Sequence, residues 1–271
     1  MFFKIEENSL ALGNTSMDYV AFGQGQQPFV ILPGLSDGLK TVKGQVVPLY
    51  LYYRQFARDF RVYIFSRKNN LTKNYSTRDM AQDQHTALEK LGIKSAYVMG
   101  ISQGGMVAQH LAIEFPNSVE KLVIGVSLAR QTDTIRRVIK SWIGLAEAGS
   151  YQELVIDTME KTFTPQQLRK YRPFYPIISR LGKPASFERF LIQASACLNH
   201  DAYQGLKTIR CPTLVMGGDC DRVVGQGTSQ EIATRIPHSQ LIVYPGLGHG
   251  AYEEAPDFNQ RVNDFLLSGQ R

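Results

Sequence analysis

The chain has 271 residues, 43% of them hydrophobic and 20% charged, with 23 Gly and 12 Pro, a balance that excludes a disordered tail or a fibre and suffices for one substantial core with a small second lobe. No window approaches the roughly 18 consecutive apolar residues of a membrane span, and Lys4, Glu6 and Glu7 interrupt the stretch a signal peptide needs apolar, so the expectation is a soluble, cytoplasmic protein. The net charge of +6 is local, because residues 130–210 hold 13 Lys/Arg and 7 Asp/Glu while the remainder holds 17 of each, which argues against a generally basic protein.

Apolar, β-rich runs separated by helix-length segments predict an α/β fold with a mostly parallel central sheet flanked by helices. Ser9–Leu12 and Met17–Phe22 alternate weakly as a hairpin region before GQGQ, and Pro28–Leu32 is a short buried strand running into a turn at Pro33-Gly34-Leu35. YLYYRQFARDF has the length and charge of a helix, and Arg61–Phe65 is β-branched and aromatic, hence a strand. A helix is expected over Thr77–Leu91, where Met80, Gln84, Ala87, Leu88 and Leu91 make a stripe and Gly92 supplies the stop. Ala96–Met99 is the next strand, followed by GISQGG and a helix whose Val107, Leu111 and Phe115 share one side until Pro116 ends it. Val119–Leu128 contains a further strand. From Arg130 to about Leu206 the signals are amphipathic and helical, as of an insertion between two strands. The β pattern returns at Pro212–Met216, with a helix around Thr228–Ile236, a strand at Gln240–Tyr244 and a closing helix around Phe258–Leu267.

Gly100-Ile101-Ser102-Gln103-Gly104-Gly105 is the strongest local chemical signal. A serine between glycines at a strand-to-helix turn stands exposed on a tight bend where a Cβ on either side would clash, and the following amide, that of Gln103, points toward a developing oxyanion. A serine hydroxyl needs a base, and the base needs an acid to fix its tautomer. Among the five histidines, His85 and His110 fall in predicted helices, His200 in the insertion and His238 just before a strand; these read as packed or exposed residues. His249, in PGLGHGAYEEAP after the last strand, sits between glycines that let a loop present an imidazole. For the acid, GGDCDRVV offers Asp219 and Asp221, either of which could cap its own turn. Cys197, Cys211 and Cys220 form no CxxC pair and read as free thiols. No metal cluster or phosphate loop is visible, so no metal and no cofactor are expected.

The segments LPGLSDG, YSTRDMAQDQHTALEKLGI, GISQGG, CPTLVMGGDCDRVV and GLGHGAYEEAP come in the order of the α/β-hydrolase superfamily, and over nearly its full length the chain resembles the serine-nucleophile type with a helical cap. The resemblance implies a core of residues 1–129 and 207–271 with a cap of 130–206, and a triad in the order Ser102, Asp221, His249. Gly218, Asp221 and Val224 match its G-x-x-D-x-x-V pattern, which selects Asp221 and leaves Asp219 as a turn residue. By position the second oxyanion amide is that of Leu35, with Pro33 where such proteins usually carry histidine. FSRKNN at residues 65–70 departs from the frequent Asp-x-Arg-Gly turn and puts the shape of that edge of the site in question.

The implied activity is hydrolysis of a carboxylic ester, thioester or lactone through an acyl-enzyme; the alternatives are a C–C bond hydrolase, a lyase or acyltransferase on the same triad, or a non-catalytic ligand-binding receptor. The expected partner is a small-molecule substrate, with no nucleic acid. The cap's charge surplus is either a solvated helical face or an attraction for an anionic substrate group meeting Arg136, Arg137 or Lys140. The cap aromatics, Trp142, Phe163, Tyr171, Phe174, Tyr175, Phe187 and Phe190, are expected mainly to pack cap on core, with some lining the pocket roof; Tyr50, Tyr52 and Tyr53 read as helix packing.

Overall fold

The computed structural model describes residues 5–269, so Lys4 of the leader argument lies outside the described residues. The strands are β1 (Glu6–Leu12), β2 (Thr15–Phe22), β3 (Gln27–Leu32), β4 (Phe60–Phe65), β5 (Ala96–Ile101), β6 (Val119–Gly125), β7 (Thr213–Gly218) and β8 (Ser239–Tyr244). They form one sheet in the order β1-β2-β4-β3-β5-β6-β7-β8, parallel from β4 to β8 and antiparallel at the β1 and β2 edge. All six residues of β5 are buried, as expected of a central strand covered on both faces, whereas β1 alternates toward solvent at the edge.

The helices are α1 (Val46–Tyr53), α2 (Thr77–Lys90), α3 (Gln103–Glu114), α4 (Asp133–Glu147), α5 (Tyr151–Thr162), α6 (Pro165–Tyr171), α7 (Tyr175–Ile178), α8 (Glu188–Leu198), α9 (Thr228–Arg235), α10 (Ala251–Glu254) and α11 (Phe258–Leu267). α2 begins with a capping box in which Ser76 Oγ accepts from the Asp79 amide and Asp79 accepts from the Ser76 amide. It stops at Gly92, whose φ of +70° favours glycine. α2, α3 and α9 cover one face of the sheet and α1 and α11 the other, each over its own apolar cluster. A third cluster joins Ile135, Val138, Ile139 and Trp142 of α4 to Phe190, Ala194 and Cys197 of α8, to Leu35 of the turn after β3 and to Met106 of α3.

Two expected elements differ. The helix placed at residues 50–60 starts earlier, at Val46, and beyond Tyr53 tightens into a 3-10 turn over Arg54–Ala57. Burying Phe56, Ala57 and Phe60 in the core turns the chain into β4, and that tertiary demand overrides helical continuation. The one-turn α10 after His249 is too short to leave a periodic signal. Between β6 and β7 the described residues carry helices and no strand, and the two ends of this segment meet through a bridge between Arg130 and Asp201. Among the described residues no helix is long and apolar enough to cross a membrane.

Candidate active site

β3 and β5 are neighbours, but the chain leaving β3 goes on to β4 on one side while β5 leads to β6 on the other. Parallel sheets open a crevice at the carboxyl ends of strands where the order reverses in this way. The loop after β3 places Pro33, Gly34 and Leu35 at that point, and the end of β5 places Ser102 beside them, with Ser102 Cβ only 3.4 Å from where a Cβ on Gly34 would lie.

Ser102 is held in a conformation that side chains rarely adopt, φ 54° and ψ −118°. Its amide donates to Gly125 O at 2.9 Å and its carbonyl accepts from Ser127 Oγ at 2.8 Å, so neighbouring strand ends hold the bend. The flanking glycines answer to space: a Cβ on Gly100 would lie 2.2 Å from Gly104 O, and one on Gly104 would lie 1.9 Å from Leu32 O. Leu35 and Gln103 are the first residues of their helical turns, so neither N–H has an intrahelical acceptor.

His249 arrives from the loop after β8. Its Nε2 lies 2.9 Å from Ser102 Oγ and its Nδ1 lies 2.8 Å from Asp221 Oδ2. The other Asp221 oxygen accepts from the amides of Val223 and Val224 at 2.7 and 2.9 Å, which fixes the carboxylate. Asp219 instead accepts from the Gly246 amide at 2.7 Å and serves its turn. Asp221 and His249 are buried, while Ser102 is open to a cavity of about 460 Å³ whose walls include Pro33, Gly34 and Leu35. The five site positions expected from sequence are thus brought to one place.

The other histidines lie elsewhere. His85 stacks on Phe115, and His110 packs edge-on against His200 with ring centroids 5.1 Å apart. Burial pushes the His200 imidazole down from 6.5 to about 3. The unfolded chain then binds a proton near pH 6.5 that the folded chain refuses until about pH 3, so stability is lost as pH is lowered through that window, by up to about 1.4 kcal/mol per pH unit. Urea midpoints measured between pH 7 and pH 5 should decline in the native chain and decline less in His200→Gln. The cysteines are free thiols, and burial pushes that of Cys197 up to about 12, far from a nucleophile. Among the described residues no group of His, Cys, Asp or Glu is arranged to hold a metal ion.

The surroundings decide between the two readings of the basic residues, leave most of the aromatics outside the cavity as expected, and correct one expectation. Arg136, Arg137 and Lys140 lie on the exposed side of α4, whose opposite face carries Trp142, and no Lys or Arg is among the residues lining the cavity. Amphipathicity forces this result, because the apolar face of α4 is the one turned inward. Of the aromatics singled out within residues 130–206, only Trp142 and Phe190 reach the cavity, whereas Phe163 packs on Tyr171 and Phe174 is exposed. Tyr52 and Tyr53 line it as well, although they read as packing; Tyr50 does pack, edge-on against Phe22. Sequence reasoning also missed Tyr252 and Glu253, which α10 places in the cavity wall three and four residues after His249.

FSRKNN has a definite structural result. Arg67 is buried, with Nη2 donating to Pro33 O at 2.8 Å and lying 3.4 Å from Gln103 Oε1. Asp37 accepts from the Arg67 amide at 3.2 Å, from Arg189 Nη2 at 2.7 Å and from Gln193 Nε2 at 2.9 Å. Gln103 Nε2 donates to Gln193 O at 2.8 Å, so a single polar network joins both loops beside Ser102 to α8.

The family model for the alpha/beta hydrolase fold matches residues 27–256. The chain belongs to that family. It is 26% identical over 282 residues to the 2-hydroxy-6-oxononadienedioate/2-hydroxy-6-oxononatrienedioate hydrolase 1 of Pseudomonas putida, covering 98% of this chain and 95% of the relative. It is 24% identical to mouse (Mus musculus) serine hydrolase BPHL, over 95% of this chain and 85% of that one. In fold it is similar to the enol-lactonase of Burkholderia xenovorans LB400, with a TM-score of 0.81 at 20% identity over 96% of this chain and 100% of the other. The Pseudomonas putida relative is named for hydrolysing a dienedioate or trienedioate and the Burkholderia protein for acting on an enol-lactone.

Proposed function

We propose that the protein is a serine hydrolase that cleaves a carboxylic ester, thioester or lactone. Ser102 Oγ attacks the carbonyl carbon while His249 Nε2 takes its proton, and Asp221 holds the imidazole and steadies the cation that forms. The amides of Leu35 and Gln103 hold the oxyanion. Collapse of the tetrahedral adduct breaks the bond to the alcohol or thiol, which leaves with the proton from His249. Water, deprotonated by the same imidazole, then releases the acid and restores Ser102. Residues 130–206 act as a cap whose Trp142 and Phe190 roof the acyl group, over a core of residues 1–129 and 207–271.

The observation that carries this reading is the continuous relay of 2.8 and 2.9 Å hydrogen bonds from Asp221 through His249 to Ser102, ending at the mouth of an apolar cavity. The same relay suits a C–C hydrolase, and the Pseudomonas putida relative is named for hydrolysing dioates. A dicarboxylate, however, would find no Lys or Arg among the cavity's lining residues, which favours the ester reading.

Intact-mass labelling with a fluorophosphonate tests the proposal without a guess at the substrate. One adduct per native chain, absent from Ser102→Ala, is expected. A folded native chain that takes no label overturns the proposal in favour of a base-only lyase or a receptor.

A further inference from the structure

Resting on the ester-hydrolase reading, we propose that the part of the cavity wall formed by Tyr52, Tyr53, Tyr252 and Glu253, in a cavity that Trp142 also lines, is a subsite for an alkylammonium group of the substrate. All five side chains line the same cavity as Ser102 and His249, and Glu253 supplies its one carboxylate among the lining residues. An ammonium is recognised by aromatic faces backed by a negative charge, and a site built this way selects it over a neutral isostere.

The aromatic wall is fixed in place. Tyr52 Oη donates to Tyr252 O at 2.8 Å, which ties α1 to α10, and the Tyr52 and Tyr53 rings meet edge-on with centroids 4.6 Å apart. In the same cavity, Trp142 Nε1 donates to Asp157 Oδ2 at 2.7 Å, so the indole cannot turn freely. Rings held open in this way lose little entropy when a cation arrives.

Among the described residues no lysine or arginine forms an ion pair with Glu253. Arg169 and Lys170 share an outer depression with it and Glu254, outside the cavity. Glu254 is engaged by the amide and hydroxyl of Thr164 and adds a second negative charge nearby. Glu253 is an exposed residue and Tyr52 is 40% exposed, so this part of the wall reaches solvent; partial burial nonetheless raises the Glu253 carboxyl from its ordinary value, with the Tyr252 hydroxyl pulling the other way. A cation bound there would restore the ionised form, whereas an anionic group would meet repulsion.

The test compares choline butyrate with its carbon isostere 3,3-dimethylbutyl butyrate, and an alaninyl ester with the matching propionyl ester. The ratio of kcat/KM, cationic over neutral, should be about tenfold in at least one pair and should fall toward unity in Glu253→Gln. Equal rates within both pairs would overturn the subsite while leaving the hydrolase reading intact, since the neutral esters would still be cleaved. Binding gives a readout that needs no turnover. Trp142 is the chain's only tryptophan, so saturable quenching of its fluorescence by phenyltrimethylammonium, weakened about tenfold in Glu253→Gln, supports the subsite even if no ester in the set is hydrolysed. Where no ester in the set is turned over, absence of quenching overturns it.

Discussion

Ser102→Ala and His249→Ala should each lower kcat/KM for an ester substrate by about 10⁴- to 10⁶-fold, and the double variant should be no worse than either alone. The three groups act on one proton, and removing any one of them leaves the others without a task. Asp221→Asn is expected to fall less far, about 10⁴-fold. An asparagine amide turned toward His249 Nδ1 would favour the tautomer that points a proton at Ser102, when Ser102 needs an acceptor. Asp219→Asn serves as the contrast, because its carboxylate accepts from the Gly246 amide and does not touch the imidazole. Steady-state kinetics on the five variants, with circular dichroism to confirm folding, decides the matter. Retention of wild-type activity by Ser102→Ala would move the chemistry elsewhere in the cavity.

Much of this site was legible in the sequence because each part carries its own local constraint. Gly100 and Gly104 are glycines for want of space, and such positions punctuate a sequence visibly. Asp221 was separable from Asp219 only through a family spacing, since both residues are adequate turn formers; what distinguishes them is which carboxylate faces His249, a fact of the folded chain. The cavity wall was less legible. Tyr52 and Tyr53 sit in a helix whose apolar pattern gives no sign that part of it faces a void, and Tyr252 and Glu253 belong to a single turn too short for periodicity. The charge surplus of residues 130–210 left two readings open for a physical reason: helices over a core turn their basic faces to water, so a count by region says nothing about which face meets the substrate. Arg67 was hidden for a related reason. Read as a departure from a motif, it looks like a lost turn, whereas its carbonyl and amide partners come from segments more than thirty residues away along the chain.

The network around Arg67 leads to the largest expected effect on stability. Asp37→Ala should destabilise the fold by about 3–5 kcal/mol, read as a lower urea midpoint at unchanged m, because it leaves buried cationic groups without their counter-charge. The Asp37 side chain is 1% exposed and that of its partner Arg189 is 17% exposed. Burial already presses the Arg67 guanidinium toward losing its charge, and Asp37 is the largest influence opposing that. The double variant Asp37→Ala/Arg189→Met should lose less than the sum of the two single changes, by about 0.5–3 kcal/mol, because it removes one stranded cation together with the anion. Activity should respond as well. With Asp37 gone, Arg67 has reason to shift, and it is the guanidinium that holds Pro33 O on one side of Ser102 and approaches the Gln103 side chain on the other. A movement of about 1 Å in either proposed oxyanion amide would lower kcat by about 10²-fold. Because the aromatic part of the cavity wall, Tyr52, Tyr53, Trp142 and Tyr252, makes no contact with this network, KM should change less than kcat. A loss confined to KM would instead mean that the network shapes the substrate pocket and leaves the oxyanion amides where they are.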